Sequence, residues 1–346
     1  MTKNSVLELL KKVKYPGFSR DIVSFGLVKD IQSEQGSIAV TLQITTSNPE
    51  HKLKLESDVK QVISESGENA QVSVNFVEQQ VQSAPQGQPA VPSNLKDIKK
   101  IIAVASGKGG VGKSTVAVNL AASLSIDHTV GLLDLDIYGP SLPMVAGVNE
   151  TPLITEEKKL VPIEKHGMKL MSFGFVSGND APTIWRGPMV SRMTQQFFDD
   201  VMWGSLDFLI LDLPPGTGDI QLTLVQKIAL TGAVIVTTPQ DLAVLDVKKG
   251  ADMFKKVNTP VLGIVENMTH FLCPHCNEKS DIFSSGGGDS ESQRLNVPLL
   301  GRVPLSPQLV NSSDSGIPFV HEYPQSDITQ EFKTIAASLS KELHPA

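Results

Sequence analysis

After residue 95 the chain is a succession of short apolar runs, KKIIAVAS, TVGLLDLD, MKLMSFGF, DFLILDLP, GAVIVTT and TPVLGIVEN, separated by stretches with helical periodicity. Continuous runs of Val, Ile and Leu of this length indicate strands buried on both faces of a mostly parallel sheet. The first 78 residues have a different texture. Val6, Leu9, Leu10 and Val13 recur at helical spacing, and Ile38, Val40, Leu42 and Ile44 alternate with polar partners as in a half-buried strand. A second helix is predicted over 58–64 and a second strand through Val72, Val74 and Phe76. Between the two textures lies a Gln- and Pro-rich segment without periodicity, which reads as a flexible linker. The predicted organisation is a small α/β domain over 1–78, a linker over 79–95, and a doubly wound, mostly parallel α/β domain over 96–346.

The first of the buried runs leads into GKGGVGKST, Gly107 to Thr115, which matches G-x-x-x-x-G-K-[ST] between a strand and an amphipathic helix. Gly107, Gly109, Gly110 and Gly112, with Val111 between them, let backbone amides close round phosphate oxygens at the helix N-terminus. Lys113 is expected to reach the β- and γ-phosphates, and Ser114, beside Thr115, to ligate Mg²⁺. A nucleotide hydrolase also needs carboxylates at the ends of neighbouring strands. LILDLPPGTGD supplies Asp212 as the partner of the metal, and GLLDLDIYGPS supplies Asp134 and Asp136, one of them to orient or deprotonate the attacking water; Asp136 is assigned that role, and Asp134 is assigned to Mg²⁺ with Ser114 and Asp212. Either aspartate alone could be a cap or turn former. Lys108 has no part in the generic motif. No N-K-x-D stretch for reading guanine occurs, which points to ATP.

Composition narrows the classes. A formal charge of -7 with 5% aromatic residues argues against a nucleic-acid partner gripped by a general basic surface. The N-terminal stretch MTKNSVLELLKKVKYPGF lacks the apolar core of a secretion signal, and no run is long enough to span a bilayer, so a cytoplasmic protein without a membrane partner is expected. Only two cysteines are present, Cys273 and Cys276, in FLCPHCNEK. In a reducing compartment such a pair is a metal or redox site more often than a disulfide. Tetrahedral zinc and iron-sulfur clusters usually take four protein ligands, so one chain brings half a site.

The phosphate loop, with Lys108 in it, resembles the deviant Walker A motif of MinD/ParA-like ATPases, in which the extra lysine reaches across a dimer to the other subunit's nucleotide. SGKGGVGKST, LLDLDIYGPS, WRGPMVSRM, LDLPPGTGD, TTPQDLAVLDVKKG, VENM and CPHC, in this order over 101–310, are similar to the Mrp/ApbC family of iron-sulfur cluster carriers. DIVSFGLVKDI and TTSNPEHK resemble the iron-sulfur-assembly domain often fused ahead of that family; where that domain commonly carries a cysteine, this chain has Asn48, which offers no thiolate. The resemblance implies a homodimeric, slow ATP hydrolase that uses Mg²⁺ and passes a [4Fe-4S] cluster from an upstream scaffold to apo iron-sulfur proteins. It assigns Asn267 to the adenine and Pro304 to the flank of its ring. On stoichiometry, two CxxC pairs meeting face to face supply four thiolates for one bridging cluster.

Other readings of the pair stay open at this level. C-P-H-C also occurs in thioredoxin-fold oxidoreductases, and zinc could bridge a dimer or use His270 with both cysteines of one chain. A MinD-like positioning or ParA-like segregation ATPase with a zinc-binding CxxC is the functional alternative. The former needs a basic amphipathic C-terminal helix, whereas DITQEFKTIAASLSKELHPA mixes charges and reads as a packing helix. Trp185 and Arg186 match the family pattern but read more simply as structural, and Met189, Met193 and Phe197 read as core.

Overall fold

A computed structural model describes residues 2–13, 21–23, 27–34, 37–44, 49–66, 71–78, 93–177, 187–276 and 278–343. The chain divides into two compact units, Met1–Gly87 and Gln88–Ala346. Asn48, most of the segment assigned as a linker (79–92), Trp185 and Arg186 lie outside the described residues, as does the side chain of Met189.

The first unit runs α1 (Lys3–Leu10), β1 (Val28–Glu34), β2 (Ser37–Ile44), α2 (Pro49–Ser64) and β3 (Gln71–Glu78). Strand β2 pairs antiparallel with β1 and parallel with β3, so β2, α2 and β3 form a crossover unit whose helix covers the sheet. Val6 and Leu10 of α1 and Leu55, Val59 and Ile63 of α2 meet Ile38, Val40 and Leu42 in one core. Two elements differ from the sequence reading. Helix α2 begins at Pro49, nine positions before the predicted 58, because proline at a helix start sacrifices no hydrogen bond. Strand β1, VKDIQSE, went unpredicted because it is an edge strand and largely polar.

The second unit is a doubly wound sheet. Its elements are β4 (Ile98–Ala105), α3 (Lys113–Leu124), β5 (Val130–Asp134), α4 (Leu142–Val145), β6 (Ile163–Lys165), β7 (Met168–Ser172), α5 (Phe173–Ser177), α6 (Gly187–Asp200), β8 (Leu206–Asp212), α7 (Asp219–Val225), β9 (Gly232–Thr237), α8 (Asp241–Lys256), β10 (Val261–Leu272), β11 (Lys279–Ser280), α9 (Gly287–Leu295), β12 (Leu299–Leu305), α10 (Pro307–Ser315), α11 (Phe319–Glu322) and α12 (Asp327–Leu343). In space the strands run β12-β10-β9-β4-β8-β5-β7-β6, parallel except for β6. All residues of β5 and β9 are buried, as the continuous apolar runs require. Leu95, at the end of the predicted linker, is also buried in this core, so the second unit starts before residue 96. Phe197 is fully packed and Met193 half-buried against the same core. Helix α12 buries Phe332, Ile335 and Leu339, a packing helix as its mixed charges suggested. Among the described residues no helix is long and apolar enough to cross a membrane.

At the amino edge of the sheet Asp207 ties neighbouring strands together. Its carboxylate accepts from the Thr129 amide and hydroxyl at 2.8 and 2.9 Å and faces Lys99 at 2.8 Å. These contacts, Lys99 first, hold Asp207 far below the usual carboxylate range. A lowered folded value contributes stability above the unfolded pKa that disappears as pH falls through the folded one. Asp207→Ala is therefore expected to cost about 1 kcal/mol at neutral pH, chiefly the two Thr129 bonds because Lys99 is exposed and screened. Urea denaturation of both proteins should show this difference shrinking steadily below about pH 4, near the unfolded value.

Strand β10 departs from a plain ladder. Between Asn267 and Phe271 four residues of β10 advance against two of β12, Val303 to Leu305. Within this bulge Met268 has a φ of 57°. Beyond it, Phe271 and Leu272 pair antiparallel with Ser280 and Lys279 of β11, so the strand ends in a hairpin.

Candidate functional site

The carboxyl ends of the parallel strands lie along one edge of the sheet, where doubly wound folds bind ligands. The loop after β4 wraps into α3 with Gly110 and Gly112 at φ of 80° and 78°, a backbone region open to glycine at little cost. Gly112 is also pinned by space: an added Cβ would lie 2.2 Å from Nδ2 of Asn267. It is the N-cap of α3 and brings no side-chain cap, so the helix N-terminus faces the cavity with backbone amides. Gly216, in the Pro-Pro-Gly turn after β8, donates its amide to the Ser106 carbonyl at 3.0 Å, which couples that turn to the phosphate loop.

The cavity above this loop has a volume of about 390 Å³, within the roughly 300–1,000 Å³ of small-molecule sites. Lys108, Gly109, Gly110, Gly112, Lys113, Ser114 and Thr115 line it from the loop, with Asp136, Asn267 and Pro304 from other strand ends. Gly107, Val111, Asp134 and Asp212 do not line it. Met144 of α4 and Leu309 and Asp314 of α10 complete it. Nothing in their spacing marks these three, since only the fold brings them to the cavity.

The carboxylates divide by environment. Asp134 and Asp212 are adjacent in the β5–β8 register. Asp134 is fully buried; its oxygens accept from the Asp136 amide at 2.9 Å, the Leu142 amide at 3.1 Å and the Ser172 hydroxyl at 3.0 Å. Burial, with the Asp212 charge second, pushes it up to about 7 against the pull of those amides. Its protein donors thus occupy the carboxylate named for the metal from sequence. Asp136 faces the cavity, held by the Tyr138 and Gly139 amides at 3.2 and 3.1 Å. Asp212 forms a buried ion pair with Lys113, and Lys113 Nζ also lies 3.4 Å from Ser114 Oγ. Ser114 and Asp212, both in reach of Lys113 Nζ, carry the hard oxygen atoms that Mg²⁺ prefers.

Asn267 is buried and donates Nδ2 to the Val111 carbonyl at 2.9 Å. Its Oδ1 has no protein partner, leaving an acceptor beside the cavity. Just past the end of the same strand, the Cys273 amide donates to the Glu278 carbonyl at 3.0 Å and closes the hairpin. Cys273 is half-exposed and Cys276 exposed, and both are free thiols. The His275 amide, then the Cys276 amide and thiol, hold Cys273 below the ordinary thiol value, favouring the thiolate that binds metal. His270 is engaged through Nδ1 with the Thr269 hydroxyl at 2.9 Å, and burial lowers its pKa. Among the described residues no three His, Cys, Asp or Glu side chains converge as metal ligands. The single-chain zinc site with His270 is therefore not assembled, and the thiols stand as a pair at a hairpin tip.

Comparison with known proteins gives the family of each unit. Residues 97–340 match a family described as NUBPL iron-transfer P-loop NTPase, and residues 3–76 match one described as iron-sulfur cluster assembly protein. An iron-sulfur cluster carrier protein of Synechocystis is 41% identical over 98% of this chain and 97% of its own length. The iron-sulfur cluster transfer protein NUBPL of Dictyostelium discoideum is 47% identical over 72% of this chain and 78% of its own. Among solved structures, a nucleotide-binding protein of Archaeoglobus fulgidus in complex with ADP aligns with a TM-score of 0.60 at 37% identity, covering 69% of this chain and 94% of that one.

Proposed function

Because the chain belongs to the NUBPL iron-transfer P-loop NTPase family, we propose that it is an ATP-dependent carrier that holds a [4Fe-4S] cluster between two copies of itself and delivers it to apo-proteins. The observation that carries this reading is the incomplete thiol pair in the hairpin turn that follows the strand bearing Asn267 of the nucleotide cavity. Two thiolates from each of two subunits complete the four-ligand set of one cluster. Amides at the turn lower the thiol pKa and can also donate to cluster sulfurs.

In the cavity the loop amides and Lys113 take the phosphates. Lys113 exchanges its Asp212 partner for phosphate oxygens, which frees Asp212 for the metal. Ser114 and Asp212 would hold Mg²⁺, which would supply neutralisation of the phosphate charge. Asp136, the carboxylate facing the cavity, orients the attacking water, while Asp134 fixes the 136–142 loop that carries it. Asn267 reads adenine: Oδ1 accepts from the exocyclic amine, and Nδ2 stays on Val111. Pro304 flanks the ring. Asn267→Ala is expected to weaken ATP binding about tenfold, the worth of one lost hydrogen bond in a desolvated site, with a much smaller effect on inorganic triphosphate; isothermal titration of both ligands checks it.

The carrier reading is tested by anaerobic reconstitution with iron and sulfide, metal and sulfide counts, absorption spectra, and delivery to an apo-acceptor. A brown dimer that activates the acceptor is expected. A colourless protein with stoichiometric zinc that resists iron loading, or iron-independent disulfide exchange, refutes it.

A further inference from the structure

Lys108 lines the nucleotide cavity, but its ammonium is held from the side. Nζ donates to Oε1 of Gln240 at 3.0 Å. Gln240 is the N-cap residue of α8, a position where a side chain commonly accepts from an amide of the first turn. Here it makes no cap bond, and its oxygen serves the lysine instead. The loop beneath is fixed in two ways. The Ser106 hydroxyl donates to the Lys108 carbonyl at 2.8 Å, and Gly107 lies so close to α8 that an added Cβ would fall 2.5 Å from the Asp246 carbonyl oxygen. Asp246 pairs with Lys249 at 2.8 Å, so a neutral amide, and not that carboxylate, receives the Lys108 ammonium.

We propose that Gln240 is a positioning residue that parks Lys108 on its own subunit and releases it when a second subunit's nucleotide comes within reach. This rests on the reading that Lys108 acts across the dimer. One bond from an ammonium to a neutral amide is weaker than its bonds to the anionic oxygens of a triphosphate. The exchange therefore runs towards the dimer only when nucleotide is in place. Both subunits of a symmetric dimer must give up their parked contact, so Gln240 sets the protein concentration at which nucleotide-dependent dimers form. A carboxylate at 240 would hold the ammonium more tightly, and a methyl group would not hold it at all.

Sedimentation with Mg²⁺ and a non-hydrolysable ATP analogue measures the dimer dissociation constant directly. Gln240→Ala is expected to tighten the dimer and Gln240→Glu to weaken it, each by about tenfold, from the difference between neutral and charge-assisted bonds. In a Lys108→Ala background neither substitution should move the constant, as a double-mutant cycle requires of coupled residues. General damage to the fold would shift both variants in the same direction. Same-signed effects, or effects that persist without Lys108, overturn the role of Gln240 and leave the trans reading intact. A dimer constant unchanged in Lys108→Ala alone overturns the trans reading, and the parking role falls with it.

Discussion

Cys273→Ser and Cys276→Ser should each abolish cluster binding and cluster delivery, where the unmodified chain takes up about four irons and four sulfides per two subunits. Serine keeps the size of the side chain but presents a hard, protonated hydroxyl where iron-sulfide clusters require a soft thiolate. Both thiols lie at the end of a hairpin and neither belongs to the core, so folding and ATP binding should persist. Nucleotide titration on the same samples checks this. Because ligation is shared, a mixed dimer with one substituted subunit should hold its cluster poorly as well. Retention of a full, transferable cluster by both variants would show that the ligands have been misassigned.

A second large effect is expected at the buried pair. Lys113→Ala should eliminate measurable Mg-ATP binding, because the cation that meets the β- and γ-phosphates is gone. It should also destabilise the second unit by about 3–5 kcal/mol, the cost of leaving a buried charge without its partner. The two losses separate in the double variant Lys113→Met with Asp212→Asn. Neutralising both sides should recover most of the stability and none of the binding. Thermal unfolding and ATP titration on the single and double variants give the answer. If Lys113→Ala binds ATP normally, or if the double variant is no more stable than the single one, the pair does not have the role given to it here.

The parallel sheet was legible because strands buried on both faces must be apolar along their whole length. The phosphate loop was legible because its glycines, lysine and serine fall within nine consecutive positions. Contacts between distant segments left no such trace. Gln240 and Lys108 stand 132 positions apart, and neither residue type announces the other. Asp134 closes β5 and Asp136 follows it by two positions, yet one turns into the interior and the other to the cavity. Only the packing of α4 and β7 separates them, through the Leu142 amide and the Ser172 hydroxyl. The apolar run TPVLGIVEN marked the start of β10 but not its continuation, since Thr269 and His270 interrupt the pattern at the bulge.

That bulge is chain held in reserve. Four residues of β10 lie against two of β12 between Asn267 and Phe271, a surplus that at about 3.3 Å per residue amounts to roughly 6–7 Å of extended chain looped out of the ladder. Deleting two residues there would restore an even ladder and relieve the left-handed backbone at Met268, with Phe271 still opposite Leu305 and the thiols left where they are. The span from base to thiol is thus set by the register with β12 and not by the number of residues between Asn267 and Cys273.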